Sequence, residues 1–401
     1  MTTYYISSAS GDDSNDGLAE NTAWLNIYKG FNTVATGDQV YIKADANYGL
    51  TGTANVRHVP NSPSGGISFI GYTNTTGDNG QIAVTGRIAT HFLFTGGNIT
   101  YEFKNMLFSG AVSQAISIPG NNAANMSSRF VNLTFVDNNK GIDKNSSTNL
   151  YYKCLFKDTT GSNASVGIDV NGGNDLIYGC TFLNLGFASI DLSNSATATM
   201  IVNNLFVNNK TVHIINGGIG GAGVVGPIIG NTFVGPSGDG INFRLANAPC
   251  WAVINNIFSN FQQPGKAAII FNNGGPTRTQ FYNNAFFGNT IDISGGTLGD
   301  IGFNSNDING LDPQITNSGA LDFRIGSNLK ASGLPYIFNG TNTTGFFDIG
   351  AVQRKEDYPV ITNVLNGIVY ANTDLTGTAT AGEGGGGNII AGGFNIFNKG
   401  L

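Results

Sequence analysis

Three inward-type positions, each separated by one residue, recur eight times through the middle of the chain. They are Phe103-x-Asn105-x-Leu107, Val131-x-Leu133-x-Phe135, Tyr152-x-Cys154-x-Phe156, Tyr178-x-Cys180-x-Phe182, Val202-x-Asn204-x-Phe206, Ile229-x-Asn231-x-Phe233, Ile254-x-Asn256-x-Phe258 and Tyr282-x-Asn284-x-Phe286. Their last positions lie 21 to 28 residues apart, with a mean of about 26. Alternate residues of a strand face one side, so each set predicts a short strand with three inward side chains. A loosely kept period in the twenties predicts a solenoid whose units stack on one another. The middle column carries four successive asparagines, Asn204, Asn231, Asn256 and Asn284. A buried amide is costly unless hydrogen-bonded, and stacked identical amides can bond to one another, so these four form a candidate structural ladder. The expected fold is all-β, a coil of parallel strands.

A second column follows the first: Gly141-Ile142-Asp143, Gly167-Ile168-Asp169 and Ser189-Ile190-Asp191. With the isoleucines facing in, the aspartates face out and stack about 4.8 Å apart. Retaining glycosidases hold paired carboxyls about 5–5.5 Å apart, and repulsion between such neighbours can raise one pKa to make a general acid. Asp143, Asp169 and Asp191 are therefore the catalytic candidates. The same row suits a bound Ca2+, a glycan, or simply a solvated acidic face. The sequence leaves these open.

The flanks differ from the coil. Residues 1–60 read as an N-terminal cap, because Trp24, Ile27, Tyr28, Phe31 and Val34 fall on one helical face. Asn21 or Thr22 would open that helix and Gly37-Asp38 would stop it. Apolar runs at 67–72, 82–84 and 92–94 predict the first, less regular coils of a solenoid that spans 61–353 and ends in weaker rungs near Ile349-Gly350-Ala351-Val352. Residues 354–380 read as a small β appendage. In 381–401, Glu383 sits among glycines, a flexible linker ahead of the apolar Ile389, Ile390, Phe394, Ile396 and Phe397. An apolar tail of this kind needs a cover, and a partner chain is the expected one.

Composition narrows the function. The chain has 58 glycines in 401 residues and only 11% charged residues, which suits many short strands joined by tight turns. A net charge of −6 with scattered Lys and Arg argues against a nucleic-acid surface. The opening Met1-Thr-Thr-Tyr-Tyr-Ile has no basic or apolar leader, so no signal peptide is expected, and no apolar run is long enough for membrane insertion. Cys154 and Cys180 share a column on adjacent rungs, within reach of a disulfide, although parallel Cβ vectors favour two buried thiols. His58, His91 and His213 are dispersed, and no metal motif or nucleophile elbow is present, so no metal site or cofactor is expected. Gly218-Ile-Gly-Gly-Ala-Gly223 matches a dinucleotide string, but no helix signal follows it. Tyr151, Tyr152, Tyr178, Trp251 and Tyr282 read either as core or as sugar-stacking rings.

The ends carry a resemblance. Gly11-Asp12-Asp13-Ser14-Asn15-Asp16-Gly17-Leu18, then Thr22-Ala23-Trp24 and Gly37-Asp38-Gln39-Val40-Tyr41-Ile42, resemble the opening of right-handed parallel β-helix proteins of the pectin-lyase-like superfamily. Leu311-Asp312-Pro313-Gln314, Leu321-Asp322-Phe323-Arg324-Ile325 and Asp348-Ile349-Gly350-Ala351 resemble their close. The resemblance implies a scaffold shared by polysaccharide lyases, glycoside hydrolases and phage virion proteins such as tailspikes. The arginine and aspartate signatures of pectate lyases are not recognisable. Residues 358–378 resemble segments of phage structural proteins, so the leading expectation is a virion surface protein. It would present its β-helix to host glycans or neighbouring subunits, as a homo-oligomer or beside other virion proteins. A secreted polysaccharide lyase or glycoside hydrolase is the alternative, and a purely structural decoration protein is a third reading.

Overall fold

The computed structural model describes residues 1–50, 56–58, 65–94, 99–118, 127–145, 148–159, 165–192, 199–216, 226–244, 252–272, 280–295, 304–305, 307–315, 325, 329, 337–338, 341–342 and 349–351. Within them the chain winds into a parallel β-solenoid of about 8 turns. A regular turn is made of two short strands on one long sheet and a third on a second sheet, as in Leu176–Tyr178, Thr181–Leu183 and Ala188–Leu192. Each strand pairs in parallel with its equivalent one turn on.

The register corrects the repeat in one respect. The inward residues of that turn are Ile177, Cys180 and Phe182, a spacing of three then two, and Tyr178 points out. The cause is the residue before each middle position. Asn105, Asn132, Lys153, Gly179, Asn203, Gly230, Asn255 and Asn283 all adopt left-handed backbone, with φ between 53° and 62°. One such residue breaks the two-residue alternation of a strand and moves the preceding strand over by one position. Phe130, Tyr151, Ile177, Ile201, Ile228, Val253 and Phe281 therefore fill the first inward column. The first repeat shifts likewise: Met106 and Phe108, not Asn105 and Leu107, align with Leu133 and Phe135. Glycine and asparagine take this conformation most readily, which accounts for the Asn-Asn and Gly-Asn pairs at successive kinks.

Two of the stacked columns of the core run along its two sheets. Phe108, Phe135, Phe156, Phe182, Phe206, Phe233, Phe258 and Phe286 stack with centroids 4.6–5.3 Å apart and rings within 12° of parallel. On the second sheet, Ile116, Ile142, Ile168, Ile190, Ile214, Ile241 and Ile269 run in register and are buried. The glycine ahead of the isoleucine makes room for the rings. A Cβ on Gly141 would lie 2.7 Å from the Phe156 ring, and one on Gly167 would lie 2.9 Å from Phe182.

The N-terminal helix is shorter than its periodicity predicts, Ile27–Thr33, with Asn26 rather than Asn21 or Thr22 at its cap. Asp13 sets that start: its Oδ1 accepts the backbone N–H groups of Leu25 and Asn26, both at 2.9 Å. Trp24 stays extended, bridges to Ile6 and stacks on Tyr4 at 4.7 Å. At the other end, Asn304–Ser305 and Ile308–Asn309 add one further partial rung. Ile325, Leu329 and Ile349, expected in later rungs, pack instead on the outer face against Ile257 and Ala285. Gly350 and Ala351 bond back to Asn255 and Thr232. The appendage and tail at 354–401, with Ile389, Ile390, Phe394, Ile396 and Phe397, lie outside the described residues, as do Trp251 and the glycine string at 218–223. No helix among the described residues is long and apolar enough to cross a membrane.

Candidate functional site

The strands Lys140–Lys144, Val166–Val170 and Ala188–Leu192 place Asp143, Asp169 and Asp191 side by side on the outer face of the second sheet. Ser117 precedes them in the row and Ile215 follows, so the acidic row is three rungs deep. It is not the solvated face that strand alternation predicts. Asp169 and Asp191 are buried, and the Asp143 and Asp169 side chains keep only 21% and 11% exposure.

Lys140, three residues before Asp143, folds its stem over the row. Its Nζ lies 3.5 Å from Asp143 Oδ2 and 2.5 Å from Asp169 Oδ2. Burial opposes the charge on Lys140, but its bond to Asp169 and the charges of Asp169 and Asp143 outweigh this and raise its pKa. Burial also raises the Asp143 carboxyl above the usual range, against the pull of Lys140 and with the help of the Asp169 charge. Asn171 Nδ2 reaches Asp143 Oδ1 at 3.5 Å. Two acceptors beside this group, Asp169 Oδ1 and Asn171 Oδ1, are buried with no donor within hydrogen-bonding geometry. Such orphaned oxygens cost free energy unless a ligand or water supplies an O–H or N–H.

Among the described residues no three His, Cys, Asp or Glu side chains are arranged to hold a metal ion. At Asp143 and Asp169 the Lys140 ammonium supplies the positive charge that faces both carboxylates. The sequence singled out the aspartates but missed Lys140 and Asn171. The Lys-Gly-Ile-Asp spacing was the available signal for Lys140; nothing marked Asn171.

An open cleft of about 460 Å3 runs along the corner just before Lys140, lined by Arg87, Val112, Asp137, Asn138, Asn139 and Asp158. The aromatic candidates lie elsewhere. Tyr151 is buried in the core, whereas Tyr152 and Tyr178 stack on each other outside the long sheet, 5.3 Å apart and 9° from parallel. The Lys153 ammonium sits 5.1 Å from the Tyr152 centroid, and the two rings line a small cleft of about 200 Å3 with Lys153, Thr181 and Leu205, on a different sheet from the aspartates. Cys154 and Cys180 are free, buried thiols; burial pushes Cys180 well above its usual range, which makes it a poor nucleophile.

No protein-family model and no curated protein matches the sequence. Solved structures do. The pectate lyase Pel9A aligns over 88% of this chain and 97% of its own, with a TM-score of 0.53 and 15% identity. A rhamnogalacturonan lyase aligns over 72% and 74%, with a TM-score of 0.42 and 16% identity. The GH136 lacto-N-biosidase from Eubacterium ramulus aligns over 77% and 68%, with a TM-score of 0.39 and 12% identity. At 15% identity the likeness to Pel9A is one of fold alone.

Proposed function

We propose that this β-helix binds a polysaccharide across the outer face of its second sheet and cleaves it there with Asp143 and Asp169. One observation carries the reading: Asp143 and Asp169 stand side by side on the outer face, partly exposed and bridged by Lys140. The exposed parts of the Asp143 and Asp169 carboxylates accept from sugar hydroxyls, and Lys140 offers an N–H to a ring or hydroxyl oxygen. Asp143, whose carboxyl burial raises above its usual range, is assigned the role of the acid that protonates the glycosidic oxygen. Asp169 faces the carbon left electron-poor, and the close approach of the two carboxyls favours the retaining geometry. The fold likeness to a pectate lyase adds that polysaccharide is a ligand class this scaffold accommodates.

The test is a panel of neutral and acidic polysaccharides, scored for binding and for new chain ends. Asp143→Asn is expected to lower cleavage by about 10²–10⁴ while leaving binding in place. Cleavage at the wild-type rate by Asp143→Asn, or no polysaccharide bound at all, defeats the reading. A second reading is a virion surface protein that presents the same face to host glycans without cutting them. It rests on the phage-like sequence of residues 358–378. Binding without turnover by the wild-type chain would favour it.

A further inference from the structure

Lys144 is the last residue of its strand and stands in register with Ile118 and Val170, two buried members of the core. Its ammonium is therefore inside the solenoid. There it meets Asp175, which precedes the next rung's first strand: Nζ lies 2.7 Å from Oδ2, and both side chains are 0% exposed. The other carboxyl oxygen, Asp175 Oδ1, accepts the backbone N–H of Asn149 at 2.8 Å and its Nδ2 at 3.3 Å. Tyr151, itself buried, closes the pocket, its hydroxyl 3.4 Å from Asn149 Nδ2.

We propose that Lys144 and Asp175 join in an intramolecular isopeptide bond that ties two turns of the solenoid together from within. An amine beside one carboxyl oxygen, with two N–H donors on the other, is the arrangement that acyl transfer requires. Proton transfer within the pair gives a neutral amine and a carboxylic acid. The amine lone pair attacks Asp175 Cγ, and the charge that develops on Oδ1 falls into the two Asn149 N–H groups. A proton passes from nitrogen to Oδ2, the Cγ–Oδ2 bond breaks, and one water leaves as the Cγ–Nζ amide forms. No oxidant, metal or second enzyme enters the balance.

Burial supports the neutral forms. It pulls Lys144 below its usual range although Asp175 opposes this, and pushes Asp175 up although Lys144 opposes that. A buried ion pair contributes little net stability, because desolvation offsets most of the attraction. The amide removes both charges and keeps the contact. This pair lies inside the coil, on the far side of the sheet from the acidic row, so its fate is independent of the glycan reading.

The experiment is mass spectrometry of the full-length chain, denatured and then digested with trypsin. The expected intact mass is that of the sequence less one water. Trypsin should fail to cut after Lys144, and the peptide bearing Lys144 should be found joined to the one bearing Asp175. An unshifted mass, with cutting after Lys144 and Asp175 in a linear peptide, overturns the proposal. A succinimide at Asp16-Gly17 or Asp239-Gly240 would also lose one water, but it reverts in mild alkali; a loss that reverts, or that persists in Asp175→Ala, overturns it too. Asp175→Asn keeps the shape of the pocket and should lose ammonia in place of water. The wild-type digest decides the matter even where the Ala variant does not fold.

Discussion

Asn231 Oδ1 accepts two hydrogen bonds from Asn204, one from its backbone N–H at 2.8 Å and one from its side-chain Nδ2 at 3.0 Å. The motif repeats upward. Asn256 does the same for Asn231, Asn284 for Asn256, and Asp307 Oδ1 ends the column by accepting both donors of Asn284. At the lower end Asn204 Oδ1 accepts the Cys180 backbone N–H at 2.8 Å. The left-handed residue before each amide interrupts the strand ladder, and the side-chain oxygen from the next rung takes the backbone N–H that the interruption frees.

Asn231→Leu should therefore act on its neighbour more than on itself. It leaves the Asn204 backbone N–H and one Nδ2 hydrogen facing an isobutyl group, the other hydrogen keeping its bond to the Ile177 carbonyl, at about 1–3 kcal/mol for each orphaned N–H. Thermal or urea melts are expected to show a clear loss. An unchanged melting temperature would mean that the amides do not hold the kink.

Gly167→Ala tests the contact between the two core columns. The new methyl would lie 2.5 Å from the Ser189 carbonyl oxygen and 2.9 Å from the Phe182 ring, neither of which can withdraw without moving a rung. Overpacking of this kind costs about 1–3 kcal/mol. Gly66→Ala is the matched control, since its Cβ meets nothing closer than 3.7 Å. Equal melting temperatures for the two variants would count against the packing argument.

His213 governs an acid limb. It sits edge-on to Phe206, Phe233 and Phe261 at 5.8–6.0 Å, and burial lowers its pKa to about 3. Between an ordinary value near 6.5 and about 3, the unfolded chain binds a proton that the folded chain does not. Stability is thus held above the ordinary value and lost as pH falls through this window, by about 2–3 kcal/mol near pH 4.5. His213→Phe should flatten that part of the stability–pH curve. Parallel curves for variant and wild type would exclude His213 as the cause.

Lys153 is the one residue of the kink column that is neither glycine nor asparagine, at φ 53°. Lys153→Asn should relieve left-handed strain and raise stability by roughly 0.5–1 kcal/mol, more than the exposed ammonium–ring contact with Tyr152 supplies. A calorimetric scan checks the sign; a lower melting temperature would show that the contact outweighs the strain.

The sequence by itself determined the period, the parallel coil, the phenylalanine and asparagine columns and the alignment of Asp143 with Asp169 and Asp191. Parallel in-register stacking puts like beside like, so a recurring side chain in the sequence becomes a column in space. It misplaced the first positions of seven repeats, at 131, 152, 178, 202, 229, 254 and 282, because a single left-handed residue reverses the facing of everything before it, and asparagine is also common in ordinary turns. The burial of Asp169, the bridge from Lys140 and the meeting of Lys144 with Asp175 were decided only by tertiary structure. Each joins residues on different rungs across connections of unequal length, and no spacing within one strand encodes how a long side chain spans from one turn to the next.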